Sequence, residues 1–479
     1  MTLLDSLKQN STVTNTKGSK YYNTSYNCNL DVFTLLTRYS NEEKIRILFE
    51  NALEEDKDLA LANLLYLLDI RNGKGERRIF KIIFEDLCFH HKDEALKILP
   101  FIKKLGRFDY ILIGIDTPIE KETISYIKKQ LEEDIKSDAP SLLAKWMPSH
   151  RTHGQNNKLA KKLMTLLGMK EKEYRKTLST LRKKINITEK NLTEKKYEKI
   201  DFSKVPAKAM LKYQNAFDKN MKEKFNEYKD LVKKGKTKIN TKGLFSYEII
   251  KKILLKESDD TTIYDLMWDN QKDILNGDKT NLLVVADTSG SMTNYGYIPY
   301  CTSVGLAMYI AERNHGIFHS HFITFSEEPV LREIKGKTLT EKVRNIETIN
   351  AWNTDIDKVF DLLLKTAKEN NLSDKDMPSH IIIISDMEFD DGINSKGGTN
   401  FQTWKSSFEE EKYKLPNIIF WNAAGNARGI PVTKFDKDVA MVSGFSTNIL
   451  ENLLTLDKYT PIDLLLEKLS PYLEMLKSI

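Results

Sequence analysis

The apolar positions of this chain change period once, and the change divides it. From Leu30 to about residue 275 they fall at helical spacing. Leu59, Leu61, Leu64, Leu65 and Leu68 make one core-facing stripe, and Ile79, Ile82, Ile83 and Leu87 make the next. Between them, Arg71-Asn72-Gly73-Lys74-Gly75-Glu76-Arg77 interrupts the pattern with two glycines. Further short helices are predicted over 94–105, 108–113 and 118–135, joined by brief polar turns. That rhythm predicts an all-α repeat of paired helices, with a bundle as the competing arrangement. Residues 1–29 are rich in Asn, Ser, Thr and Lys, lack a period, and read as a flexible tail.

Beyond residue 275 short apolar runs alternate with helical stretches. Strands are predicted at 282–286, 381–384, 418–421 and 439–442, and a hairpin at 318–325 with 330–334. Helices are predicted at 300–314, 355–368, near 448–456 and at 462–476. This alternation over 276–479 predicts an α/β doubly wound domain, so the chain reads as multidomain, with an all-α part over 30–275 preceding it.

Charge changes the picture of the helical part. The chain of 479 residues has a net charge of only +6, yet residues 145–256 hold 31 Lys/Arg against 11 Asp/Glu, a local net of +20 that leaves −14 elsewhere. Such a segment is a candidate polyanion-binding surface, the bland alternative being solvated Lys-rich helices. Lys158, Lys161, Lys162, Arg175, Lys176, Arg182, Lys183 and Lys184, with Arg71, Lys74 and Arg77 upstream, are the candidate RNA contacts. Tyr174, Tyr197, Tyr213, Phe217, Phe225 and Tyr228 interleave with them; rings can stack on unpaired bases, but Phe217, Phe225 and Tyr228 have the spacing of a core face. Cys28, Cys88 and Cys301 are too scattered for a disulfide or zinc pattern and read as reduced thiols. With neither a leader nor an apolar run of membrane-spanning length, a cytoplasmic or virion-associated protein without membrane contact is expected.

Candidate chemistry lies where two apolar strands end in acids. The run 282–286 stops at Asp287, and Ser289 and Ser291 follow at every second position; the run 381–384 stops at Ser385-Asp386. In an open parallel sheet both carboxylates emerge on the edge where ligands bind. Between them Trp352-Asn353-Thr354-Asp355 offers a further hydroxyl. Asp287, Ser289, Ser291, Thr354 and Asp386 are hard oxygen donors with few charges, suited to Mg²⁺ or Mn²⁺. For D-x-S-x-S alone, a strand followed by a serine-rich turn is the alternative.

All five positions together resemble the metal-ion-dependent adhesion site of von Willebrand factor A domains. The resemblance implies that Ser289, Ser291 and Thr354 ligate the cation directly, while Asp287 and Asp386 hold it largely through waters. It leaves a place for a partner's carboxylate or a phosphate. Helical repeats joined to such a domain resemble the layout of TROVE proteins, the Ro ribonucleoproteins, whose HEAT-like helices form a ring and bind structured or misfolded small RNAs. Ser385-Asp386-Met387-Glu388-Phe389-Asp390, Phe420-Trp421-Asn422 and Val442-Ser443-Gly444-Phe445-Ser446 are similar to a TROVE-related family of plants, large viruses and phages. These resemblances imply a non-enzymatic, monomeric RNA-binding protein with a Mg²⁺ (or Mn²⁺) site. The alternatives are an assembly module for an acidic protein partner and a metal-dependent nuclease, for which Asp355, Glu388, Asp390 and Asp391 would crowd the site.

Overall fold

The computed structural model describes residues 12–14, 18–151, 154–185, 187–258, 260–275, 280–325, 328–346, 355–389, 399–425, 429–451 and 460–478. Near its start a short antiparallel ribbon pairs β1 (Thr12–Thr14) with β2 (Lys20–Tyr22). Later strands are β3 (Leu282–Asp287), β4 (His321–Phe325), β5 (Val330–Glu333), β6 (His380–Ser385), β7 (Asn417–Asn422) and β8 (Val439–Ser443). They form one mixed sheet in the order β5-β4-β3-β6-β7-β8, parallel except for the edge strand β5. Every residue of β3, β6, β7 and β8 is buried, which requires cover on both faces and explains their unbroken apolar runs. The chain leaves β3 for β4 on one side and later adds β6 on the other. The crevice above β3 and β6 is therefore the switch point of the sheet.

The helical part and the sheet share one hydrophobic core. Helix Lys57–Leu68 is buried at every residue from Leu59 to Leu68, more than its stripe suggested. It lies among Glu42–Glu55, Arg77–His90 and the last helix of the chain, Pro461–Lys477, so it has no face left for solvent. Helix Ser246–Leu254 packs on Asn294–Arg313, where Gly305 permits close approach: a Cβ there would meet the Ser246 and Tyr247 backbone at 3.3 Å. Phe217, Phe225 and Tyr228 are core residues clustered around Phe202, with ring centroids 4.9–5.5 Å apart. They and the buried Tyr174 present no ring for a base to stack on.

The tail expected over 1–29 is corrected by its described part. Tyr21 and Tyr22 are buried, and Tyr22 exchanges both backbone hydrogen bonds with Ile430 at 2.9 Å. Adjacent strand residues face opposite ways. The Tyr21 hydroxyl accepts from the Phe389 N–H and the Tyr22 hydroxyl from Gln402 Nε2. The Asn27 side chain then caps helix Cys28–Leu35 by accepting from the Leu30 N–H. These contacts hold the described part of the segment against the rest of the chain.

Lys74, expected among the exposed RNA contacts, is instead fully buried and turned away from any surface that RNA could meet. Its loop folds back on helix Lys57–Leu68, the Lys74 and Glu76 N–H groups donating to the Tyr66 and Leu67 carbonyls. Gly73 sits so close that a Cβ would lie 2.2 Å from the Tyr66 oxygen, and Gly75 has φ +66°. That turn aims Lys74 inward, where Nζ donates to the Phe33 carbonyl and, at 2.8 Å, to Ser443 Oγ at the end of β8. Beside it Arg38 pairs with Glu76 at 2.9 Å and lies 4.0 Å over the Phe445 ring. Burial pushes the Lys74 ammonium down to about 7.

Because the unfolded lysine holds its proton to higher pH, folding stability should rise from about pH 7 toward about pH 10, and Lys74→Met should flatten that rise. Ser443 Oγ already donates to the Phe33 carbonyl, so Lys74→Met leaves that acceptor satisfied and should cost less than about 1.5 kcal/mol in urea unfolding. Lys74→Ala, which also empties the stem's space, should cost about 2–4 kcal/mol.

Candidate metal centre

Asp287 and Asp386 arrive together for a topological reason: β3 and β6 are neighbours in register, Ala286 opposite Ile384, and both chains turn at the same edge. Asp287 is completely buried. Its Oδ1 accepts from the Ser289 N–H at 2.9 Å and its Oδ2 from the Ser385 hydroxyl at 2.5 Å. Ser385 Oγ in turn accepts from the Met387 N–H at 3.1 Å, and Asp386 Oδ1 accepts from the Glu388 N–H at 3.1 Å. Met387 adopts φ +66°, an unusual conformation for its type, which these two bonds hold in place. Burial, and then the neighbouring Asp386 carboxylate, push Asp287 well above the usual carboxylate range.

The hydroxyls converge on the same edge. Ser289 Oγ and Ser291 Oγ lie 3.1 Å apart, Ser289 buried and Ser291 half-buried toward solvent. Adjacent ligands of an octahedral Mg²⁺, with bonds of about 2.0–2.1 Å, sit about 3 Å apart. The pair therefore fits two neighbouring positions on such an ion. Asp287, engaged by Ser289 and Ser385, would then stand as an outer counter-charge to it. Among the described residues no three His, Cys, Asp or Glu side chains converge, so a cation bound at this edge would have to draw on hydroxyls for direct ligands. Thr354, Asp390 and Asp391 lie outside the described residues. After Ser291 the chain passes through Tyr295, Gly296 and Tyr297, all with positive φ, and Tyr295 stacks on Tyr39 at 4.0 Å.

Sequence reasoning missed two contributors. Ser385 holds Asp287, and its only signal was a hydroxyl beside the strand-ending acid. Tyr21 packs next to the site through Phe389, and burial together with the nearby Glu388, Asp386 and Asp357 raises its phenol pKa. Nothing in a polar N-terminal stretch pointed to that.

The basic candidates divide. Lys158, Lys161, Arg175, Lys176, Lys183 and Lys184 are exposed on the successive helices Gln155–Leu167 and Glu171–Lys184. Lys162 is committed to Asp116 and Glu120, and Lys184 Nζ donates to the Ser137 carbonyl at 2.8 Å. Arg182 is half-buried and donates to the Ala144 and Met147 carbonyls and to Ser149 Oγ. Arg71 and Arg77 are exposed in the Lys74 loop, apart from those helices, which pack on Glu120–Lys136 and Leu143–Trp146.

A divalent cation should relieve the repulsion between the two acids only when they are ionised. In metal-free protein Asp287 takes up a proton on folding, so stability should fall as pH rises through the carboxylate range toward neutrality. The rise in Tm on adding Mg²⁺ should accordingly be larger near pH ~8 than near pH ~5. Asp287→Asn should lose the Mg²⁺ response and be more stable than the metal-free parent at the higher pH; differential scanning calorimetry reads both.

Residues 281–463 match the family model described as "Domain of unknown function (DUF7788)", and residues 122–291 match "Domain of unknown function (DUF2828)". The two spans meet at β3 and thus at the acid-ended strand. The chain is 31% identical over 500 residues to "Uncharacterized protein L728" of Acanthamoeba polyphaga mimivirus, with 95% of this chain and 86% of that protein covered. Among the described residues no helix is long and apolar enough to cross a membrane. The chain belongs to the family of this mimivirus protein.

Proposed function

We propose that the protein is a non-enzymatic RNA-binding protein of the Ro ribonucleoprotein type. Its C-terminal region would be a von Willebrand factor A domain whose adhesion site, built on Asp287, Ser289, Ser291, Thr354 and Asp386, takes Mg²⁺ or Mn²⁺. The observation that carries the RNA reading is the run of exposed cations on two successive helices within a segment of local net +20. With Tyr174, Phe217, Phe225 and Tyr228 buried, the cations would grip phosphates, and affinity would depend little on base sequence. In the A domain, a cation with two hydroxyl ligands and carboxylates at one remove keeps its charge under-neutralised. It would favour an acidic side chain or a phosphate as a further ligand. A hydrolytic centre would instead want several direct carboxylates and an activated water.

Filter binding with a small structured RNA across a salt series tests this. Affinity should fall by about 10²–10³ between low and moderate salt, as several released counterions require. No binding at low salt, or binding without a salt slope, would contradict the proposal. Mg²⁺ should leave the RNA intact during the assay. Cleavage that depends on the metal and disappears in Asp386→Ala would put the nuclease reading first.

A further inference from the structure

A cavity of about 370 Å³ opens between helix Glu171–Lys184 and the loop that follows Leu143–Trp146. Arg175, Ser179 and Arg182 face it from the helix, at spacings that put them on one side, while Ser149, His150 and Lys190 close it. No carboxylate is among the described residues that line it.

The charges around it are under-compensated. Arg182 spends three of its five N–H donors on neutral acceptors: the Ala144 carbonyl at 2.8 Å, the Met147 carbonyl at 2.7 Å and Ser149 Oγ at 2.8 Å. Among the described residues no carboxylate pairs with it, although burial lowers its pKa. Arg175 reaches Glu171 at 3.6 Å and Lys190 reaches Glu194 at 3.7 Å, long and partly exposed contacts of little worth. Glu171 is further shared with Arg151 at 2.9 Å and His150 at 3.2 Å, so one acid serves three basic groups at the rim. The lining thus presents two guanidinium groups, an ammonium and the Ser179 hydroxyl to one space, donors that differ in direction and all suit oxygen. A tetrahedral oxyanion satisfies such a set better than a planar carboxylate does.

We infer that this cavity is a phosphate-binding pocket, with Arg175, Arg182 and Lys190 holding a phosphoryl group and the Ser179 hydroxyl donating to it. It rests on the RNA-binding reading only for the source of the phosphate: an RNA backbone or terminus is one source, and free phosphate is the other.

Calorimetric titration of the full-length protein at fixed ionic strength separates these. The probes are inorganic phosphate and a short single-stranded RNA with a 5′-phosphate. Arg175→Gln with Lys190→Gln removes two pocket charges and spares Arg182, whose bonds brace the Ala144 and Met147 backbone. Lys219→Gln with Lys222→Gln removes the same charge from exposed positions on helix Ala207–Lys233. Thermal melts should confirm that both double variants fold. The pocket double variant should weaken binding by about tenfold or more, and the control double variant should leave it near the parent value. If RNA affinity falls in the pocket variant alone, the phosphate is that of RNA. If phosphate binding falls there while RNA binds equally to both variants, or binds to no form of the protein, the pocket stands as a free-phosphate site, and in the latter case the RNA reading is what fails. The pocket is overturned if neither ligand distinguishes the two double variants.

Discussion

Two carboxylates buried side by side at the ends of adjacent parallel strands are the constraint on which the site depends. Asp287 lies wholly out of water beside Asp386, and both burial and mutual repulsion oppose its ionisation. The fold counters this with fixed donors, the Ser289 N–H and Ser385 hydroxyl on Asp287 and the Glu388 N–H on Asp386. Those donors orient the oxygens without neutralising them. A divalent cation at the Ser289–Ser291 pair would supply the missing positive charge, and the same cation would turn a repulsive edge into a docking point.

That edge is enclosed by the rest of the chain. The Tyr21–Tyr22 clasp reaches Phe389 and Gln402, the Thr37 hydroxyl donates to the Ala424 carbonyl, and Lys74 ties Phe33 to Ser443. The helical region is thus built onto the same side of the sheet as the acids. Tyr39 against Tyr295 and Arg38 over Phe445 continue the contact on loops that leave the sheet. Any partner recruited through the metal would approach a surface shared by helices and sheet.

Much of this was legible in residues close together in sequence. An apolar run that stops at an acid marks the carboxyl end of a buried strand, and Asp287 and Asp386 follow from it. The helix-face spacing of Phe217, Phe225 and Tyr228 marked them as core, as they are. What was not legible depends on contacts between distant segments. Lys74 looked like a surface cation because nothing nearby announces that Ser443 will meet it. The polar tail looked loose because its tyrosines find partners more than three hundred residues away. Helix Lys57–Leu68 showed only one apolar stripe, while its burial all round comes from the last helix of the chain.

The most direct test of the central idea counts cations. Electron paramagnetic resonance of Mn²⁺ titrated into the full-length protein reports free ion, and hence bound ion, without reference to any partner. One saturable site per chain is expected, displaced by excess Mg²⁺ and lost in both Asp287→Asn and Ser289→Ala. Absence of saturable Mn²⁺ binding, or binding unchanged in those two variants, would contradict a metal centre at the ends of β3 and β6.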